Sequence, residues 1–195
     1  MSDPIEILDF WLGEVGPEGW YAGGAELDDA CHMRFHDIWQ AALAGGLEHW
    51  VEGTVGTLAY VILCDQLSRN MHRNTAQAFA TDPQALAAAK RAVAEGWDLN
   101  APEPERQFFY MPFEHSEDLA DQAQSVELIT ARMGSDPDMA LHARAHRDII
   151  ARFGRFPNRN AALGRENTPE ETAFLADGGY GAVVNALRDS HAPSA

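Results

Sequence analysis

Two segments of the chain concentrate the residue types that bind anions or transfer protons. The first runs from Phe108 to Gln122 and reads FFYMPFEHSEDLADQ; the second runs from His142 to Arg165 and reads HARAHRDIIARFGRFPNRNAALGR. Histidine and carboxylate side chains act as general acids and bases, and arginine binds carboxylate or phosphate through a planar set of N–H donors. Because Gly154, Pro157 and Gly164 interrupt the second segment, part of it is predicted to be a loop, where binding residues are common.

These segments, together with a polar cluster that ends the most apolar part of the chain, predict a pocket for a small anionic molecule. The candidate ligand-binding residues are Asp65, Arg69, Arg73, His142, Arg155, Arg159, Asn160 and Arg165. If the site is catalytic, His115 or His146 is the acid or base and Glu117 orients it, while the arginines hold the anion. The sequence leaves open whether the protein is an enzyme.

A structural role is open for the same arginines. Asp65 and Arg69 stand four residues apart, so they can pair along one helix face. Arg155 and Arg159 can tie the last helices to the rest of the fold through ion pairs. The two roles differ in geometry, because a guanidinium held for a ligand keeps a donor facing a cavity. A structural guanidinium gives its donors to carboxylates and carbonyl groups.

Histidines four residues apart on a helix can share a metal ion. His142 and His146 have this spacing, but His32 and His36 repeat it, so the spacing alone is a weak indication. A metal protein using the first pair stays open as a third function. We nevertheless predict no metal site and no cofactor, with His142 and His146 hydrogen-bonded beside an apolar stripe.

The run HSED at 115–118 contains residue types of a hydrolase triad, but consecutive residues do not converge on one point. We interpret Ser116 as the cap of the following helix. The buried face of that helix is predicted from apolar residues at helical spacing: Leu119, Ala123, Val126, Ile129 and Met133. Since polar groups at buried helix ends need partners, the two polar segments are predicted to meet in space.

The elements that position these residues are predicted to be helices. Pro preceded by an acid or a threonine marks helix starts at Asp3-Pro4 and Thr168-Pro169. The mostly apolar segment 57–67 predicts a central, buried helix. No segment alternates apolar and polar residues as a strand does, so the predicted class is all-α. The predicted core consists of Leu58, Tyr60 to Leu63, Ile129, Ile149, Ile150 and Phe153.

Length and composition limit the classes of function. A chain of 195 residues suits one domain, predicted over 1–188 with a frayed tail at 189–195. The net charge of −16 opposes nucleic-acid binding, although thirteen of the fourteen basic residues are arginine. The apolar run Leu58 to Cys64 is too short to span a membrane. Two cysteines without metal-like spacing predict buried thiols in a reducing cytoplasm.

An ordered series of motifs resembles a bacterial family known as domain of unknown function 924. The series includes ILDFWLG at 7–13, CDQLSRN at 64–70, FYMPFEHSED at 109–118 and FGRFPNRN at 153–160. The resemblance covers residues 5 to about 178 and implies a fold similar to tetratricopeptide-like proteins. It leaves the reaction and ligand open. The chain departs from the family pattern at Ser68, where proline is common, and at Asn158, where histidine is common.

The resemblance implies antiparallel helical hairpins in a tetratricopeptide-like, right-handed arrangement. Such folds present a concave surface that receives peptides, so a second function is open. In that alternative the protein is a non-catalytic scaffold for a peptide or protein partner. The predicted partners are therefore a small anionic molecule or a peptide, with no nucleic acid and no membrane.

Overall fold

A computed structural model of the protein describes residues 3–134 and 137–191. All regular structure within these two ranges is helical, and no strand occurs in them, so the predicted all-α class is confirmed. The chain divides into two compact units, Met1–Pro112 and Phe113–Ala195, and each is described by itself. The predicted single domain and the tetratricopeptide-like arrangement stay predictions.

The first unit contains six complete α-helices and several shorter helical segments among its described residues. The α-helices are α1 Pro4–Leu8, α2 Gly16–Gly19, α3 Ala25–Leu43, α4 Thr54–Val61, α5 Ser68–Met71 and α6 Asp82–Glu95. Asp9–Val15 and Ile62–Leu67 are π-helical. The 3₁₀ segments are Glu48–Trp50, Ala76–Phe79, Trp97–Asn100 and Glu105–Phe109.

The second unit is also built from helices. Helix α7, Met111–Glu114, begins at the end of the first unit and leads into α8, Leu119–Arg132. The chain continues with α9 Pro137–Phe153, a 3₁₀ turn at Pro157–Arg159, α10 Pro169–Ala176 and α11 Gly179–His191. Helix α9 packs against both α8 and α11. Residues 189–191 of the predicted tail are thus helical, and 192–195 lie outside the described residues.

Helix starts follow the predicted capping pattern at both ends of the chain. The Asp3 side chain accepts a hydrogen bond from Ile5 N at 2.9 Å, and Thr168 forms a reciprocal capping box with Glu171. The prediction for α8 is wrong in its cap. Asp118 caps this helix by accepting from two backbone N–H groups, while the Ser116 hydroxyl donates to Asp121.

The segment 57–67 forms the predicted buried helix of the first unit. It begins within α4, passes through the π-helical turn at Ile62–Leu67 and continues as α5. Every residue from Thr57 to Ser68 is buried. The extra residue in a π-helical turn shifts the faces of the helix, which turns Asp65 and Gln66 inward as well as the apolar residues.

The buried face of α8 differs from the predicted one. Leu119 is half exposed and Ala123 is exposed, whereas a polar set is buried: Asp121, Gln122 and Ser125, beside Leu128 and Ile129. The Gln122 amide donates to the carbonyl oxygens of Phe113, Glu114 and Ser116. Burying this amide therefore fixes the segment that leads from α7 into α8.

The second unit also contains an apolar core cluster. Ile149, Ile150, Phe156 and Phe174 form one buried cluster, and Phe153 packs against it while only partly buried. With Ile129 and the apolar residues of 58–63 also buried, the predicted core is confirmed except at Phe153. No helix among the described residues is long and apolar enough to cross a membrane.

Candidate functional site

His146 lies on α9 with one ring nitrogen held between two acceptors. Its Nδ1 lies 2.9 Å from the His142 carbonyl oxygen, one turn earlier on α9, and 3.3 Å from Glu114 Oε2. Both neighbours are hydrogen-bond acceptors, so Nδ1 carries the proton in the neutral ring. Nε2 makes no hydrogen bond to any described residue, and about a fifth of the side chain is exposed. This arrangement leaves Nε2 as a proton acceptor.

Three aromatic side chains surround the His146 ring. The centroid of Tyr180 lies 4.8 Å away, that of Phe156 5.7 Å, and that of His115 6.1 Å. The Tyr180 hydroxyl and His142 Nδ1 lie 2.5 Å apart and share a hydrogen bond. We call Glu114, His115, His142, His146 and Tyr180 the second-unit polar cluster.

Glu117 does not orient a histidine. Its carboxylate accepts two hydrogen bonds from Arg165, at 2.7 and 2.9 Å, and a third at 2.8 Å from the Phe156 backbone N–H. Burial raises the pKa of Glu117, but these hydrogen bonds and the charges of Arg165 and Arg159 outweigh it and hold the pKa below its usual value. The carboxylate that contacts His146 is that of Glu114, at 3.3 Å.

Arg155 is held by Glu171, the α10 residue that forms the capping box with Thr168. Its Nε and Nη2 donate to the two carboxylate oxygens of Glu171 at 2.7 and 2.8 Å, and Nη2 also donates to the Glu166 carbonyl. The hydrogen bond from Arg155 is the main reason that the pKa of Glu171 falls to about 2. Asn160, which is buried, donates to the same carboxylate and accepts from Arg165 Nε. The loop 154–165 is therefore fixed by ion pairs.

Arg159 has a different surrounding. Only 8% of the residue is exposed, and its guanidinium lies 4.5 Å from the centroid of the Phe156 ring. The same ring meets His146 edge to face. Phe156 therefore contacts both the Arg159 guanidinium and the His146 ring.

The predicted site residues Asp65, Arg69 and Arg73 lie in the first unit. Arg69 donates to both oxygens of Asp82, at 2.8 and 3.1 Å, and to the Asp65 carbonyl. Arg73 donates to both oxygens of Asp28, at 2.6 and 2.7 Å. These contacts are those expected of arginines that stabilise helix packing.

The predicted meeting of the two polar segments is confirmed within the second unit by the Glu114–His146 and Glu117–Arg165 contacts. Arg155 and Arg165 have the contacts expected of a structural role, because their N–H groups donate to carboxylate and carbonyl oxygens of the protein. Binding of a ligand by the predicted residues stays a prediction. Sequence reasoning missed Tyr180, and it gave Glu114 only as one of four acidic residues expected to contact the second segment.

A metal ion has no ready site in the part of the chain that is described. No group of three or more histidine, cysteine, aspartate or glutamate side chains there is placed to hold one. The His142 and His146 rings point their Nδ1 atoms at different partners, a hydroxyl and a carbonyl. The pair is hydrogen-bonded, as predicted.

Replacing Arg165 by lysine should lower the free energy of unfolding by about 1–2 kcal/mol, discounted for partial exposure. Lysine keeps the charge but loses the planar set of donors that binds Glu117 and Asn160. Urea unfolding measures the change. The matched control is Arg34→Lys, because Arg34 makes an equally bidentate but more exposed pair with Glu14. Equal effects of the two substitutions would contradict a structural role for Arg165.

The low pKa of Glu171 predicts an acid-dependent loss of stability. The carboxyl has a pKa of about 2 in the folded protein against 4.5 without these partners. Its contribution is therefore complete above pH 4.5 and disappears as the pH falls through about 2. We expect the gap in urea midpoint between the protein and Glu171→Gln to be widest near neutrality and to close in that window. A gap that does not change with pH would contradict this account.

Comparison of the chain with known proteins identifies its family. Residues 7–179 match the model of a family described as bacterial protein of unknown function (DUF924). The chain belongs to this family. The solved structure of a protein of unknown function from Agrobacterium tumefaciens superposes on this chain with a TM-score of 0.83 at 42% identity. The match covers 89% of this chain and 97% of that one. No curated protein matches the sequence.

The resemblance drawn from the motifs is thus confirmed, and the motif residues acquire positions in the fold. In this DUF924 member, FYMPFEHSED contributes Glu114, His115 and Glu117, while FGRFPNRN contributes Phe156, Arg159 and Asn160. In the first motif, Glu114 forms an ion pair with His146 and Glu117 forms one with Arg165.

Proposed function

We propose that the second-unit polar cluster is an acid–base site that binds a small anionic molecule, with His146 as the group that transfers the proton. The observation that supports this most is the placement of His146 Nδ1 between two acceptors while Nε2 makes no hydrogen bond to a described residue. A carboxylate behind an imidazole is the arrangement that fixes a catalytic histidine in one tautomer.

The chemistry of His146 follows from that tautomer. The neutral ring accepts a proton at Nε2, while Nδ1–H stays directed at the His142 carbonyl and the Glu114 carboxylate. The protonated ring then has an Nε2–H donor for a carboxylate or phosphate oxygen. The same atom therefore serves as a base in the free site and as an anion ligand after proton transfer.

The surroundings of His146 favour a small, partly planar ligand. Phe156 and Tyr180 place aromatic surfaces on the ring, and the His115 imidazole adds a further polar group at 6.1 Å. Arg159 contributes a positive charge next to the Phe156 ring. The other predicted anion ligands, Arg155 and Arg165, support the site by holding the loop that carries Phe156 and Arg159.

A cytoplasmic location is part of the proposal. Cys31 and Cys64 are both free and buried. Free thiols are typical of a reducing compartment, because an oxidising one favours disulfide formation during folding. Burial raises the pKa of Cys31 to about 12, so its reactive thiolate is scarce.

A screen of carboxylates and phosphates tests the proposed function. We expect at least one compound to raise the melting temperature of the protein, and its affinity to fall about tenfold or more in His146→Gln. The matched control is His49→Gln, because His49 is exposed and lies in the first unit. Absence of any stabilising compound, or equal binding to both variants, would overturn the proposal.

The second candidate is a non-catalytic scaffold with a tetratricopeptide-like arrangement that binds a peptide. It is favoured by large exposed apolar side chains in the first unit, above all Met33 at 88% and Tyr21 at 67%. The two candidates differ in their response to one substitution, because a scaffold of this kind does not use His146. Peptide binding that is weakened by Met33→Ser and unaffected by His146→Gln would favour the scaffold.

A further inference from the structure

Three imidazoles of the first unit pack against one another. His32 and His36 lie one turn apart on α3, with ring centroids 4.5 Å apart and nearly parallel planes. His72, which directly follows α5, places its ring 5.5 Å from His36 and 6.1 Å from His32. The Trp39 ring covers His72 at 4.3 Å. We call His32, His36 and His72 the histidine triplet.

The triplet has no polar partner in the described ranges of the chain. None of its three side chains makes a hydrogen bond or an ion pair there. His36 Nδ1 and His72 Nε2 are buried without a hydrogen bond, and His72 as a residue is only 7% exposed. Buried polar atoms are usually paired, so this arrangement departs from the ordinary pattern for core histidines.

The charged groups around the triplet are already paired. Asp28, one turn before His32 on α3, is held by both donors of Arg73. Asp65 of the π-helical segment pairs with Arg69, and the 3₁₀ segment Ala76–Phe79 carries no charged residue. The remaining charged residues of α3 are exposed or pair elsewhere: Glu26, Asp29, Asp37 and Arg34. Among the described residues, no carboxylate forms an ion pair with a ring of the triplet, and the unpaired acids of α3 are exposed to solvent.

We propose that the histidine triplet is a pH-sensitive device that holds α3 against α5 when its rings are neutral and loosens this contact in weak acid. Helix α3 packs directly on α5 and on the π-helical segment before it. Protonation places like charges about one ring width apart in a partly buried site, and their repulsion acts across this contact.

The direction of the effect follows from linkage. Burial lowers the pKa of His72 below 6.5, and the neighbouring His36 and His32 lower it further. The unfolded chain thus binds the proton more readily than the folded one. Stability is complete above pH 6.5 and decreases as the pH falls below that value toward the pKa of the folded protein.

Hydrogen exchange of the full chain tests the device. Protection is compared at about pH 7.5 and about pH 5.5, after correction for intrinsic exchange rates. We expect peptides from α3 and from residues 62–72 to lose about three- to tenfold in protection at the lower pH, because one imidazole that protonates in the unfolded chain near pH 6.5 can contribute at most about tenfold at one pH unit below that value. The pH-dependent loss should shrink to less than about threefold in His36→Gln/His72→Gln.

Two further variants keep the test decisive. His32→Gln removes one exposed ring without touching the core and should reduce the pH-dependent loss, whereas His49→Gln should leave it unchanged. The same loss in the wild-type protein and in all variants would overturn the proposal. Stoichiometric Zn²⁺ that raises protection at the higher pH through the triplet would also overturn it, because the rings would then be metal ligands.

Discussion

Replacing Phe156 by alanine should lower the free energy of unfolding of the protein by about 3–5 kcal/mol. The residue is 4% exposed and packs in the apolar cluster with Ile149, Ile150 and Phe174. Its ring also contacts the Arg159 guanidinium and packs edge to face with the His146 ring. The substitution therefore opens a cavity and removes the aromatic wall of the proposed site at the same time.

Urea unfolding and ligand binding should respond together to this substitution. The matched control is Phe153→Ala, because Phe153 packs on the same cluster but is only partly buried. We expect a smaller loss of stability in the control, with ligand affinity retained. A Phe156→Ala protein as stable as Phe153→Ala would contradict the packing described here.

Replacing Ile62 by alanine should destabilise the first unit by about 2–5 kcal/mol. Ile62 begins the π-helical turn and is fully buried in a segment where every residue from Thr57 to Ser68 is buried. Close packing leaves the surrounding side chains little freedom to fill the space that the lost atoms occupied.

The control for Ile62 lies on the preceding helix. Val55 belongs to α4 and is half exposed, so Val55→Ala should change the free energy of unfolding by no more than about 0.5 kcal/mol. Hydrogen exchange of the first unit's peptides reports the effect locally. Protection that is equal in the two variants would contradict a central role for this helix.

The sequence predicts the fold wherever a segment is strongly apolar or a helix cap is formed by residues close together in the chain. Segment 57–67 and the capping box at Thr168 are examples, since each depends on residues adjacent in the chain. The buried face of α8 could be predicted only in part. Ile129 and Met133 are buried as expected, but Asp121, Gln122 and Ser125 are buried as well, and the carbonyl groups that Gln122 binds account for its burial.

The candidate site could be predicted in part from the sequence. The sequence located the two segments that meet, because they concentrate unusual residue types. It could not assign partners, since Glu114 and Glu117 are three residues apart and equally acidic, yet one faces His146 and the other Arg165. Tyr180 gave no signal, because it lies 38 residues from His142 along the chain.

The most direct measurement of the proposed acid–base site is the ¹⁵N NMR spectrum of the His146 ring, recorded where the ring is neutral. The geometry predicts a proton on Nδ1, and it predicts that a compound found in the anion screen moves the Nε2 resonance. A neutral ring protonated on Nε2, or an Nε2 resonance that no binding anion moves, would contradict the account.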